Sequence, residues 1–336
     1  MTPRVSVLVP SFHRPAALQR CLAALRAQSR PPEHVVVGVR AGDDATVAVV
    51  HAAHAAGLPV AVAYTATAGV VAAMQAALDA SAGDIIALTD DDARPRPDWI
   101  AGLLAHFESA PDVGGVGGRD WQPAERGNAS RVGIVQWCGR VIGNHHLGAG
   151  AARDVDVLKG ANCAFRTVLL RAVGFDDRLR GSGAQAHWEL GVCLPMRRAG
   201  WRLVYDPSVA VDHDIEPRPA DDALHRGVFA SRQLENAVHN ESVALLEGRS
   251  LIASTIFLSW LLLVGSRESP GILQTIRRMT RRDGDTAAAF FASCRGRFAG
   301  AITAWRVPRK LRLPTPPRQV RPAAALVAQQ TDGLSP

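Results

Sequence analysis

The chain is 336 residues long and 47% apolar, enough for a large buried core in one sizeable domain with appendages. Its five cysteines are scattered, odd in number and without CxxC spacing, which argues against a disulfide framework or zinc site and for a reducing cytoplasm. The net charge of +7 is local: residues 267–321 hold thirteen Arg and Lys against three Asp and Glu, leaving the rest of the chain mildly acidic.

The sequence runs into "RVSVLVPSF" after three residues, without the layout of a signal peptide. "VSVLVP" (5–10) predicts a buried strand. "PAALQRCLAALRAQ" (15–28) predicts a helix, with Pro15 in its first turn and Leu18, Cys21, Leu22 and Leu25 on one face. A strand at 34–39, a helix at 45–56, a strand at 60–64, a helix at 69–82 and a strand at 85–89 continue the alternation. A helix from Pro97 to Glu108 would bury Trp99, Leu103, Leu104 and Phe107. Such spacing predicts βαβ units and an α/β fold with a mostly parallel sheet, whose ligands bind beyond the carboxyl ends of the strands.

Periodicity weakens over 114–160, a Gly- and Asn-rich stretch read as loops and short strands. "LKGANCAFR" (158–166) regains strand character, and 167–173 predicts a short helix. Residues 187–201 predict a helix ended by Gly200, with Pro195 inside it. "RLVYDP" and "VAVDH" predict two short strands ending at His213. The apolar run "LIASTIFLSWLLLVG" (251–265) has 15 residues. That is short of the roughly 20 that cross a bilayer as a helix. "GILQTIRRMTRR" follows as a basic amphipathic segment. Together the two segments suit either contact with an anionic membrane surface or packing on the main domain. The Pro-containing stretch 307–336 predicts a flexible tail. No nucleic-acid-binding motif accompanies the basic charge.

The chemistry concentrates after the fourth strand, where "IIALT" runs into Asp90, Asp91 and Asp92. Three adjacent carboxylates repel unless a positive group sits among them. Carboxylate oxygens are hard ligands for Mg²⁺ or Mn²⁺; Asp90 and Asp92, two apart, can reach different atoms of one ligand, and a divalent cation at Asp92 would offset the charge crowding. The plainer reading is an acidic turn that caps the next helix. The same sheet edge should carry Pro10, Ser11 and Phe12, whose ring can flank a nucleobase, and the acidic pair Asp43 and Asp44. No GxxxxGK[ST] or GxGxxG sequence occurs, which disfavours a P-loop or a standard dinucleotide fold.

Three blocks in order, "VSVLVPSFHRPAALQRCLAALRAQ", "SAGDIIALTDDDARPRPDWI" and "GFDDRLRG…HWELGVCLPMRRAGWRLVYDPSVAVDH", resemble family-2 glycosyltransferases of the GT-A fold over residues 4–215. The resemblance implies transfer of a sugar from a nucleotide-diphosphate donor to an acceptor hydroxyl, with inversion and a divalent cation. It implies that Pro10, Ser11, Phe12, Arg14, Asp44, Asp90 and Asp91 hold the nucleotide sugar, and that Asp92 and His213 lie at the metal. Aligning "VCLPMRRAG" with the family pattern puts Trp188 and Glu189 at its Glu-Asp pair and Gly191 at a second aspartate. Glu189 is then the general base, one methylene longer than the usual Asp, and His187 a weaker alternative. "QAHW" departs from the Q-x-x-R-W of processive synthases, which implies one sugar per encounter.

The expected organisation is a GT-A catalytic domain over 1–215, with a nucleotide-binding half to about 120 and an acceptor half beyond it. A helical extension follows over 216–306, then the tail. The expected location is the cytoplasm, with peripheral contact to its membrane face and a lipid-linked acceptor as one form that contact could serve. A sugar-nucleotide-forming nucleotidyltransferase and a non-catalytic nucleotide-sugar-binding protein are the alternatives. The former would carry a Gly-rich basic loop that "PSFHRPAAL" lacks.

Overall fold

The computed structural model describes residues 2–122, 127–214, 229–280 and 285–317. In chain order the elements are β1 (Val5–Ser11), α1 (Pro15–Arg26), β2 (His34–Arg40), α2 (Asp44–Ala55), β3 (Val60–Thr65), α3 (Val70–Asp79), β4 (Ile85–Leu88), β5 (Ala93–Pro95) and α4 (Trp99–Ser109). There follow β6 (Val113–Trp121), β7 (Ile134–Val135), β8 (Val141–Ile142), β9 (Arg153–Val155), β10 (Cys163–Arg166), α5 (Thr167–Val173), α6 (Trp188–Arg198) and β11 (Arg202–His213). The helices α7 (Ser231–Leu246), α8 (Leu251–Leu263), α9 (Ile272–Thr280) and α10 (Thr286–Arg306) complete the chain.

The central sheet runs β3-β2-β1-β4-β10-β6-β11-β5, with β9 on β11. Strands β3, β2, β1 and β4 are parallel, as the alternating pattern predicts. β6 and β11 pair in parallel and run in the same direction as these four, so the sheet is mostly parallel as expected; the reversed strands are β10, antiparallel to both β4 and β6, and β5 and β9, antiparallel to β11. Apolar side chains cover both faces, one cluster beneath α1, α2 and α4, the other beneath α3, α5 and α6. The β1–β4 register pairs Leu8 with Leu88, so the ends of the two strands carry Ser11 and the aspartates to the same level.

The second half departs from the sequence reading for steric reasons. β6 is a nine-residue strand, "VGGVGGRDW", at the start of a stretch expected to hold only loops and short strands. Its glycines admit close neighbours: a Cβ at Gly115 would meet Phe165 at 2.7 Å, and one at Gly118 would meet the Val209 carbonyl oxygen at 1.6 Å. Glycine thereby erases the apolar alternation that marks a strand. The two short strands expected to end at His213 are one strand, β11, with a bulge between Asp206 and Ala210.

Residues 307–317, expected within a flexible tail, are tied to α6 and its C-terminal end through Arg309 and Pro314, with Leu311 and Leu313 packed against the core. Pro195 lacks the N–H that would bond the Gly191 carbonyl. Arg309 fills the gap, donating to Gly191 O at 2.9 Å while pairing with Glu247. Trp201 Nε1 donates to Pro314 O at 2.7 Å. The remainder of the expected tail, 318–336, lies outside the described residues.

Candidate functional site

The acidic turn at the end of β4 is wired to the end of β1. Ser11 Oγ donates to Asp91 Oδ2 at 2.8 Å, and Arg14 Nε donates to the same oxygen at 3.1 Å. Arg14 also bonds Asp91 through Nη2 and Asp92 through Nη1, the latter at 2.6 Å. The sequence asked what offsets three adjacent carboxylates; part of the answer is this guanidinium, placed by Pro15, which starts α1 immediately after it. Burial works against the Arg14 charge, yet Asp91, Asp92 and Asp90 outweigh it and raise its pKa. At Asp91 burial instead dominates, pushing its carboxyl up to about 7 against the pull of Arg14.

Asp92 turns its other oxygen to His213, whose Nε2 lies 3.1 Å from Oδ1. Nδ1 of His213 lies 2.8 Å from Asp120 Oδ1, and Lys159 Nζ bonds the second Asp120 oxygen. Burial disfavours the imidazolium, but the bonds to Asp120 and Asp92 raise its pKa to about 10. Asp120 is buried too, and its bonds from His213 and Lys159 hold it well below the usual carboxylate range. Ligand atoms of Asp90, Asp92 and His213 all lie within 4.8 Å of one another. Two carboxylates and an imidazole at that spacing fit Mn²⁺ or Mg²⁺.

Glu189 stands on the first turn of α6, its Oε1 accepting the Gly160 N–H at 3.2 Å. Gly160 is required there, since a Cβ would meet the Trp188 ring at 2.3 Å. The next residue back, Lys159, belongs to the Asp120–His213–Asp92 chain, so Glu189 adjoins the acidic cluster through one turn of backbone. Burial raises the Glu189 pKa, opposed by the backbone bonds it accepts.

An open cleft extends from Asp90, between β1, β2 and the start of α3. Pro10, Ser11, Phe12 and Arg14 line one side, Gly69, Val70, Ser182 and Gly183 the other, and Arg40, Thr65 and Thr67 the far end. The Arg40 guanidinium lies over the Phe12 ring at 5.4 Å. Asp44 stands exposed on α2, outside this lining. Its neighbour Asp43 is the buried member of the pair, capping α2 at Thr46 and accepting the His13 N–H at 2.6 Å. Asp120, Lys159 and Arg40 were not read from the sequence. Asp120 is masked by the glycines of β6. Lys159 opens no motif of its own. Arg40 is an ordinary basic residue until the sheet places it over Phe12.

Residues 3–226 match the family described as "Glycosyltransferase like family 2". The chain belongs to glycosyltransferase family 2. Among curated relatives of this family-2 chain, a glucosyl-dolichyl phosphate glucuronosyltransferase of Haloferax volcanii is 32% identical over 143 residues, 40% of this chain and 44% of that protein. A pre-mycofactocin glycosyltransferase of Mycobacterium tuberculosis is 26% identical over 196 residues, 58% of this chain and 40% of that protein. The family-2 chain thus spans less than half the length of each relative. Among solved structures, the mannosyltransferase PcManGT of Pyrobaculum calidifontis, in complex with GDP-Man and Mn²⁺, aligns with TM-score 0.55 at 18% identity, covering 91% of this chain and 88% of that one. The TarS protein of S. aureus in complex with UDP-GlcNAc aligns with TM-score 0.56 at 13% identity, covering 91% and 93%. These likenesses establish the GT-A fold of the family-2 domain.

Proposed function

We propose that the protein transfers one sugar per encounter from a nucleotide-diphosphate donor to an acceptor hydroxyl, with inversion. The observation that carries this reading is the meeting of Asp90, Asp92 and His213 at the mouth of the cleft bounded by Ser11, Phe12 and Arg14. Phe12 offers its ring to the base, and Asp90 and Arg14 reach the ribose and diphosphate. A divalent cation at Asp90, Asp92 and His213 would supply charge stabilisation for the departing diphosphate. Glu189 takes the proton of the acceptor hydroxyl, and burial, by raising its pKa, makes it a stronger base than a free carboxylate. The hydroxyl oxygen forms its bond to the anomeric carbon as the bond to the diphosphate oxygen breaks. Family membership favours sugar transfer over formation of a sugar nucleotide. The test is thermal stabilisation by UDP-, GDP- and dTDP-sugars with and without Mn²⁺, followed by the anomeric configuration of the product. Stabilisation by one donor that requires Mn²⁺, and an inverted product, are expected; a retained anomer overturns the single-step reading.

The extension supports a peripheral membrane role. No described helix is long and apolar enough to cross a membrane. α8 packs by one edge, where Phe257 is fully buried, and exposes Leu251, Ile252 and Leu263. α9 buries nothing and presents Ile272, Leu273, Ile276 and Met279 beside Arg277 and Arg278. Apolar and cationic groups together fit an anionic lipid surface. The curated relative named for a dolichyl phosphate substrate makes a lipid-linked acceptor the matching choice. Binding to anionic but not neutral vesicles, lost in Ile276→Glu, is expected; equal recovery in the unbound fraction with both vesicle types removes this role.

A further inference from the structure

A buried side chain of the helical extension reaches the wall of the candidate active site. Asn240 of α7 is fully buried. Its Oδ1 accepts the Arg180 N–H at 2.8 Å, and its Nδ2 donates to Arg180 O at 3.0 Å and to Ala186 O at 3.1 Å. One amide therefore ties together both ends of the segment 180–186. Ser182 and Gly183 of that segment wall the cleft, and Gly183 O accepts the Val70 N–H at 2.9 Å at the start of α3. Gln185 bonds across to the same helix, its Oε1 accepting the Val71 N–H at 3.0 Å. The segment then delivers Trp188 and Glu189 to α6.

The backbone here needs external support. Gln185 and His187 have φ of +43° and +70°, a region that side-chain-bearing residues enter at a cost and keep only when their surroundings impose it. Asn240 is itself held from behind. Its Oδ1 lies 3.0 Å from His239 Nδ1, and His239 Nε2 lies 3.0 Å from Thr303 Oγ1 of α10. Gly296 and Gly300 let α10 approach α7 closely, since a Cβ at either would meet α7 backbone within 2.6 Å. Only an amide offers the acceptor and paired donors that this site uses; a carboxylate of the same shape loses both donors.

We propose that Asn240 is a positioning residue for sugar transfer: through the 180–186 segment it fixes the cleft wall and the turn that presents Glu189. The extension is thereby part of the catalytic unit and not only an appendage. The proposal rests on the transferase reading for its kinetic consequence, but its structural consequence stands apart from that reading.

The experiment compares full-length wild type, Asn240→Asp and Asn240→Ser by melting temperature, hydrogen–deuterium exchange, and turnover with the donor that stabilises the wild type. Asn240→Asp is expected to fold and to exchange faster at residues 180–190 than elsewhere. Its donor KM should rise and its kcat fall, each by about tenfold or more, because small displacements of reacting groups cost rate steeply. Asn240→Ser, which keeps one hydroxyl in place of the amide, should fall between. Wild-type exchange at 180–190 and wild-type kinetics in a merely less stable Asn240→Asp protein overturn the proposal. So does failure of both variants to fold, which assigns Asn240 to folding alone. A wild type inactive with every donor refutes the transferase reading, while localised exchange in Asn240→Asp still upholds the positioning of 180–190.

Discussion

Arg14 lies across Asp91 and Asp92, bonding the first through two nitrogens and the second at 2.6 Å. All three side chains are at most 9% exposed. Removing one partner of a buried ion pair leaves the other charge uncompensated, which costs about 3–5 kcal/mol. Arg14→Met should lower the unfolding free energy by about that amount in urea titrations. Adding Asp91→Asn should restore much of it, because the neutral amide no longer needs a cation. Additive losses in the double variant would show that the two groups are not coupled.

The cation site makes a second prediction. Asp92→Asn and His213→Gln should each weaken Mn²⁺ binding at least about tenfold by calorimetry, since each removes one of three ligand groups. Asp91→Asn should weaken it far less, because Asp91 is turned toward Ser11 and Arg14. A ligating imidazole must be neutral, so Mn²⁺ binding near neutral pH should release a proton. The heat of binding should then vary with the ionisation enthalpy of the buffer.

His213 also sets a pH dependence in the metal-free protein. Its pKa is raised from 6.5 to about 10 in the fold, against burial, by Asp120 and Asp92. A base whose folded pKa exceeds its unfolded value stabilises fully below the unfolded pKa and loses that stabilisation as pH rises through the folded one. The stability difference between wild type and His213→Gln should therefore be largest near pH 6 and shrink toward pH 10. Chemical denaturation at several pH values, with chelator present, measures it. A constant difference would mean that His213 carries no proton here.

How much of this was legible depended on locality. Apart from β5, the strands and helices of residues 5–109 follow from periodicity, because short apolar runs mark the buried strands and one apolar face marks each helix. The acidic turn and "PSF" were legible as one edge because parallel βαβ units align strand ends. Asp120 was not, because close packing of β6 against β10 and β11 demands glycine and removes the pattern that marks a strand. The roles of Arg309 and Asn240 were also invisible. Each satisfies backbone groups far away in sequence, Gly191 O for one and Arg180 and Ala186 for the other. Such partners emerge only when the fold is assembled.

Glu189 makes the sharpest prediction. Its carboxyl accepts only one described backbone N–H from outside its own helix, that of Gly160, and burial raises its pKa. A general base works only when deprotonated, so kcat/KM should fall as pH drops through that raised value. Glu189→Gln keeps the shape and the bond from Gly160 but cannot take a proton. It should lose about 10²–10⁴-fold in kcat while binding donor and Mn²⁺ like the wild type, and the acidic limb of its pH profile should vanish. Glu189→Asp restores a base but withdraws it by one methylene, and should recover only part of the rate. If Glu189→Gln kept both its rate and the acidic limb, the proton would have to leave by another group. His187, one residue before α6, would then be the next to replace.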